Sequence, residues 1–194
     1  MRVLIRSDIN RLRRYGSKES TLRLLLTNQG LWACLCYRVG HELQKKRFPP
    51  VVRHLVMGVF HLWWKWVEMA TGISISPDCT IGPGLYIGHF GQIILHPDVV
   101  MGMDCNLSQG VTLGLAEKDG TWGVPTVGDR VYIAPGAKIV GPIHLASGTV
   151  VGANAVVIAD TETDATVVGI PARMVNRNGS GDFIQPEDGQ ATDS

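Results

Sequence analysis

The chain has no excess of charge of either sign. Eighteen Lys and Arg stand against 17 Asp and Glu in 194 residues, a formal charge of +1, which leaves no electrostatic case for binding nucleic acid. Cysteine is sparse, and its four copies form no disulfide framework. Cys34 and Cys36 are separated by one residue in a helical stretch, a spacing that suits neither a zinc knuckle nor a redox pair. No cleavable signal peptide is legible at Met1, where Arg2, Arg6 and Asp8 follow closely, so a cytoplasmic location is expected. An uninterrupted apolar run of membrane-spanning length is also missing. The most apolar stretch, Val51 to Thr71, is broken by Arg53, His54, His61, Lys65 and Glu68, which argues against a spanning helix.

What is present is a beat of six. An aliphatic residue or methionine returns at Ile75, Ile81 and Ile87, then at Leu95, Met101, Leu107 and Leu113, then at Val127, Ile133, Ile139, Leu145, Val151 and Val157. A helix cannot keep this period on one face, since six residues turn it through about 600°, and a plain strand needs period two. A coil of very short strands with a bend inside each hexad does fit. Four places after the beat a second inward position holds small or β-branched residues such as Cys79, Val99, Cys105, Val111, Ala137 and Ala155, so these two cysteines read as small core hydrophobes. Three places after the beat stand Gly84, Asp104, Gly110, Gly136, Gly148 and Asn154, residue types that tolerate positive φ. The pattern predicts a mainly β fold, a parallel β-helix in which each coil covers the open edge of the one before.

The rest of the chain divides around this array. Residues 1–72 read as helical, with a first segment from about Leu22 to Lys46 and a second from Val51 to Thr71, stopped by Gly72. The second segment is expected to pack its stripe of Val52, Leu55, Val56, Val59, Phe60, Trp63, Val67 and Ala70 on the β-helix or on a partner subunit. Its alternative is peripheral membrane contact through 51–71, with Trp63, Trp64 and Trp66 as anchors. The basic clusters Arg11, Arg13, Arg14 and Lys45, Lys46, Arg47 are expected on solvated faces. Residues 73–175 form the β-helix, and the Gly, Asp, Asn and Ser rich residues 176–194 are expected to be a disordered tail.

The beat breaks twice. Ile87 to Leu95 is eight residues, so two extra residues enter within Gly88-His89-Phe90-Gly91-Gln92. Leu113 to Val127 is fourteen, so eight residues leave the coil as a loop that contains Glu117, Lys118, Asp119 and Trp122. Departures from a regular scaffold are where function collects.

With its breaks, the array resembles the serine acetyltransferase branch of hexapeptide-repeat acyltransferases. The resemblance rests on GLYIGHFG at Gly84 to Gly91, NLSQGVTLG at Asn106 to Gly114, VYIAPGAKIVGPI at Val131 to Ile143 and VVGIPAR at Val167 to Arg173. It implies a left-handed β-helix of three hexads per coil, a homotrimer open to higher assembly, and active sites between neighbouring subunits. It also implies acetyl-CoA as acyl donor and no metal. A hydroxyl is a weak nucleophile at neutral pH and needs a general base. His89, the only histidine in a slip, matches the family's base, while His96 and His144 fall at unrelated phases and read as surface or packing residues. The resemblance places coenzyme A along Gly114, Leu115, Pro135, Lys138, Ala153 and Arg173, and the acceptor near Ser74 and Gly88; Asn106 and Trp122 are further candidate acceptor contacts. A γ-type carbonic anhydrase would need three histidines sharing one zinc, a spacing this chain lacks. A non-catalytic trimeric scaffold would have no use for a histidine in the slip.

Two departures bear on the acceptor. The family places an aspartate directly before the catalytic histidine, where this chain has Gly88, and another fifteen residues before it, where this chain has Ser74. It carries Arg-His-Pro at the end of the loop, where this chain has Gly123-Val124-Pro125. A zwitterion is hard to hold without such charges. The expectation is therefore a neutral acceptor, a hydroxyl of a saccharide or polysaccharide precursor, with Trp122 stacking on a sugar face. Serine O-acetylation is the alternative.

Overall fold

The computed structural model describes residues 1–15 and 20–184. The chain opens with four helices, α1 (Arg2–Arg14), α2 (Thr21–Thr27), α3 (Gln29–Lys45) and α4 (Pro50–Thr71). The single expected helix from Leu22 to Lys46 is divided at Asn28, whose side chain accepts the Leu31 N–H at 2.7 Å and so starts α3 afresh. α4 ends at Gly72, a left-handed residue with φ 66°, as a helix-terminating glycine should.

Beyond Gly72 the chain winds into a left-handed parallel β-helix of about 5 turns with three flat faces. The first face stacks β1 (Ile73–Ile75), β4 (Ile93–Leu95), β7 (Thr112–Gly114), β12 (Lys138–Val140) and β15 (Val156–Val157). The second stacks β2 (Thr80–Ile81), β5 (Val100–Met101), β10 (Thr126–Val127) and β13 (His144–Leu145). The third stacks β3 (Tyr86–Ile87), β6 (Asn106–Leu107), β11 (Tyr132–Ile133), β14 (Val150–Val151) and β16 (Thr166–Gly169), and the antiparallel β17 (Ala172–Asn176) closes it.

Strand register turns the breaks of the beat into coil lengths. Ile94 pairs with Thr112, a regular coil of three hexads further along. The coil from Ser74 to its partner Ile94 is longer than three hexads by the slip, and the coil from Thr112 to its partner Lys138 is longer by the extruded loop. A third irregularity is not legible in the beat: the coil from Val150 to its partner Thr166 falls short of three hexads. This short coil is bridged by Thr161, which donates its N–H to the His144 carbonyl and whose hydroxyl accepts from the Ala146 N–H.

All thirteen beat residues from Ile75 to Val157 are buried, and so are the second inward positions, Cys79 and Cys105 included. At the corners glycine alternates down the stack with Asp or Asn for a steric reason. A β-carbon on Gly84 would stand 2.1 Å from Asp104 Oδ1, and one on Gly136 would stand 2.1 Å from Asn154 Oδ1. The Asx side chain of one coil fills the space that the glycine of the previous coil leaves.

Three expectations change. Arg11 does not lie on a solvated face: it is 1% exposed, and its guanidinium donates to Asn106 Oδ1 at 2.7 Å and to the Asp104 carbonyl at 3.1 Å. A long amphipathic side chain from α1 lies across the third face, which the sequence run of arginines gives no means of foreseeing. The tail expected from residue 176 is ordered as far as Ile184. Ser180 donates to the Arg130 carbonyl, Phe183 stacks on Tyr132 at 4.6 Å and Ile184 is buried, because the third face needs an apolar cover there. The remainder of that segment, 185–194, lies outside the described residues. Finally, α4 buries only Phe60, Val67 and Thr71, with Met57 and Trp64 partly covered. Val52, Leu55, Val59, Leu62, Trp66 and Met69, spaced three and four apart, remain exposed. Among the described residues no helix is long and apolar enough to cross a membrane.

Candidate active site

The slip forms the corner between the third and first faces. After β3 the backbone runs through Gly88 and His89, takes positive φ at Gly91 (107°) and Gln92 (52°), and enters β4 at Ile93. Two neighbours fix it. The Gly91 carbonyl accepts the Gly110 N–H of the next coil at 3.0 Å, and the Ile93 N–H donates to the Gly72 carbonyl at 3.2 Å. Gly72 is packed so closely that a β-carbon there would meet the Gln92 nitrogen at 3.2 Å and the Gly91 Cα at 3.3 Å. The C-terminal end of α4 therefore abuts the slip that carries His89.

His89 is exposed. Beside it a cleft of about 510 Å³ runs down the same corner of four successive coils. Phe90 and Gln92 line it from the slip, Gln109 from the next coil, Pro135 from the third, and Ala153 with Asn154 from the fourth. The cleft runs along the stacking direction, in which coils repeat at about 4.8 Å, so it can take an extended chain. Gln109, which the sequence does not single out, places a side-chain Oε1 in a buried position without a hydrogen-bond partner.

The residues expected at the site fall into separate groups. Pro135 and Ala153 line the cleft. Lys138 lies one strand away with its ammonium directed at the Gly110 carbonyl (2.5 Å) and the Thr112 hydroxyl (3.1 Å), which leaves one of its three donors for a phosphate. Gly114 and Leu115 stand where the extruded loop leaves the coil. That loop is a hairpin of β8 (Ala116–Lys118) and β9 (Thr121–Gly123), turned at Asp119 (φ 50°) and Gly120 (φ 79°). An Asp-Gly pair is the residue choice for such a turn, and Trp122 stands on the hairpin, exposed. Arg173 is exposed on β17, across from Val168. Asn106 is not available to an acceptor. Its carbonyl oxygen is taken by Arg11, and its amide donates to the Tyr15 hydroxyl and the Phe183 carbonyl. Its position in the motif looks open in the sequence because the covering segments come from both ends of the chain.

Gly88 and Ser74, the two departures, have structural partners. The Tyr86 ring occupies the space beside Gly88. Ser74 is half-buried on β1, near Glu68, whose carboxylate Lys65 holds; chiefly that hydrogen bond keeps the Glu68 carboxyl below the ordinary carboxylate range. His96 and His144 lie apart from the slip, bonded to Asp98 and to Thr126 and Asp160. Among the described residues no three His, Cys, Asp or Glu side chains converge as a metal site.

No protein-family model matches the chain. Curated relatives do. It is 35% identical over 158 residues to the serine acetyltransferase of Synechococcus elongatus, covering 81% of this chain and 62% of that one. It is 36% identical over 155 residues to the serine acetyltransferase of Helicobacter pylori, covering 80% of this chain and 86% of the relative. A solved serine acetyltransferase in complex with cysteine superposes with a TM-score of 0.76 at 29% identity, over 90% of this chain and 65% of that one. One in complex with CoA gives 0.74 at 29% identity, over 89% and 68%. This chain thus spans less than two thirds of the first of these relatives and of the cysteine complex.

These likenesses overturn the expectation of a saccharide O-acetyltransferase of polysaccharide synthesis and favour the alternative, serine acetylation. The expectation rests on the charges missing at Gly88, Ser74 and Val124 alone, and identity over most of the chain outweighs those single positions. By sequence identity over most of its length and by its coiled architecture, the chain belongs to the hexapeptide-repeat acyltransferases of the serine acetyltransferase type.

Proposed function

We propose that this chain transfers the acetyl group of acetyl-CoA to the side-chain hydroxyl of L-serine, releasing CoA. The observation that carries the proposal is the slip. It sets an exposed histidine at the head of a cleft long enough for an extended thioester arm, in a chain whose relatives are serine acetyltransferases.

His89 takes the proton from the serine hydroxyl as its oxygen attacks the thioester carbonyl. The resulting oxyanion is met by N–H donors at the corner. Collapse breaks the carbon–sulfur bond, and the imidazolium returns its proton to the departing thiolate. Pro135 and Ala153, which line the cleft, are assigned to the donor's arm, and the remaining donor of Lys138 to a phosphate oxygen. Because acetyl-CoA is an intracellular metabolite, the reaction is assigned to the cytoplasm.

The working unit is assigned as a homotrimer, with further copies covering the exposed stripe of α4. A helix that leaves six large apolar side chains at three-and-four spacing in water presents a seam for another helix. Contact of the same stripe with a membrane surface is the competing use.

The test is thiol release from acetyl-CoA with L-serine, nucleotide sugars and oligosaccharides as acceptors. L-Serine should raise release well above hydrolysis, and His89→Ala should lower turnover by about 10²- to 10⁴-fold. Release with a sugar acceptor and none with L-serine would refute the assignment.

A further inference from the structure

The cleft beside the slip has few hydrogen-bond acceptors to spare. The Gly91 carbonyl accepts the Gly110 N–H at 3.0 Å, the Gln109 carbonyl accepts the Gly136 N–H at 2.9 Å and the Pro135 carbonyl accepts the Asn154 N–H at 2.9 Å, so the corner is bonded from coil to coil. Lys138 takes the Gly110 carbonyl. Of the three polar side chains that line the cleft, Asn154 folds its Oδ1 under Gly136, and Gln92 stands exposed on the slip. Gln109 differs from both. Its Oε1 is closed off from water and has no hydrogen-bond partner.

A buried amide oxygen without a donor costs stability in the free protein and calls for a reason. Water does not relieve it, because water does not reach it. The side chain is unbranched and its terminal torsion is soft, so a turn carries the oxygen into the cleft that the residue lines. A ligand that brings an N–H there supplies the partner the fold withholds.

We infer that Gln109 is a binding residue for the acyl donor, its side-chain oxygen accepting the N–H of an amide in the donor's pantetheine arm. The inference rests on acetyl-CoA as the donor in the serine reading above. That arm carries two secondary amides between sulfur and nucleotide, and the nearer nitrogen lies two carbons from the sulfur. The arm is otherwise apolar, which suits a cleft walled by Phe90, Pro135, Ala153 and glycine. The position agrees as well. Gln109 precedes Gly110, which is bonded to Gly91, two residues past His89, so an arm with its thioester at His89 meets this coil before Pro135 and Ala153. An oxygen paired only in the complex also favours donors that carry the amide over thioesters that lack it.

The experiment titrates the full-length protein with CoA, and with adenosine 3′,5′-bisphosphate, the nucleotide end without the arm, in a calorimeter. Gln109→Met keeps the stem and removes the amide. CoA should bind this variant about tenfold more weakly, as expected for one lost hydrogen bond, and the bisphosphate should bind within about twofold of wild type. KM should rise by a similar factor for acetyl-CoA and stay within about twofold for L-serine. The urea midpoint should be no lower than that of wild type, an outcome that a merely structural glutamine does not allow. Equal CoA affinity in the two proteins, an equal loss for the bisphosphate, or a lowered urea midpoint overturns the inference and leaves the serine reading standing. A wild type that binds no CoA removes both. A wild type that binds CoA without turning over L-serine removes the serine reading alone, since the titrations still decide the role of Gln109.

Discussion

The hydroxyl of Tyr86 lies 2.9 Å from where a β-carbon on Gly88 would stand, and the ring edge lies at 3.1 Å. Tyr86 cannot easily withdraw, because its ring stacks on Tyr15 of the N-terminal segment at 4.2 Å. The residue before His89 is therefore glycine for a packing reason. The packing of α1 and its following residues on the third face reaches into the site through this tyrosine.

Restoring an aspartate at this position should consequently be costly. Gly88→Asp is expected to lower the free energy of unfolding by about 1–3 kcal/mol through overpacking, and adding Tyr86→Phe, which removes the nearest atom, should recover part of the loss. Urea denaturation of the two variants checks this. A fully stable Gly88→Asp protein would show that Tyr86 yields freely.

How much of this was legible follows from where each interaction sits in the sequence. Ile75, Ile81 and their successors announce the coil because a repeat writes its inward positions at a fixed interval. The slip that carries His89 was legible because it interrupts that interval. The hairpin turn was also written, in Asp119-Gly120, though it read only as a loop. Arg11 on Asn106 and Phe183 over Tyr132 were not legible, since each joins the repeat to a segment with no period of its own. The shortened coil at Thr161 escaped because a deletion near the end of the array leaves no further beats to expose it.

The helices are tied to the first coil by a buried ion pair. Arg38 donates from Nε to Asp8 Oδ2 at 2.9 Å and from Nη2 to Oδ1 at 3.1 Å, and also to the Ile81 and Gly82 carbonyls, while Asp8 accepts the Leu85 N–H. Breaking the pair by Arg38→Met strands the Asp8 carboxylate and two backbone carbonyls, and Asp8→Asn leaves the buried guanidinium without its counter-charge. A loss of about 3–5 kcal/mol is expected for Arg38→Met, read as the urea midpoint. A change within about 0.5 kcal/mol, the scale of an ordinary surface substitution, would mean that water replaces the guanidinium.

The α4 stripe predicts its own behaviour in solution. Leu55→Glu with Leu62→Glu should leave the monomer folded, since both side chains are exposed, and should shift the sedimentation coefficient toward a smaller particle. Unchanged sedimentation combined with loss of binding to anionic lipid vesicles would instead assign the stripe to a membrane surface.

The four cysteines give a last, independent check on the packing. All are buried, and Cys79 and Cys105 donate their thiols to the His96 and Gly128 carbonyls at 3.2 Å, contacts a thiolate cannot make. Burial raises Cys34 and pushes Cys36, Cys79 and Cys105 up to about 12. Native protein should therefore be silent to a thiol reagent at neutral pH, and four thiols should appear in denaturant, so that thiol release in the transfer assay reports CoA alone. The same shifts fix the sign of an alkaline effect. Above the ordinary thiol pKa the unfolded chain gives up protons that the folded chain keeps, so stability falls as pH rises toward about 12. Melting temperature should decline across that range, and Cys105→Ala, whatever its cost at neutral pH, should make the decline shallower. A slope that Cys105→Ala leaves unchanged would place the alkaline loss on other groups.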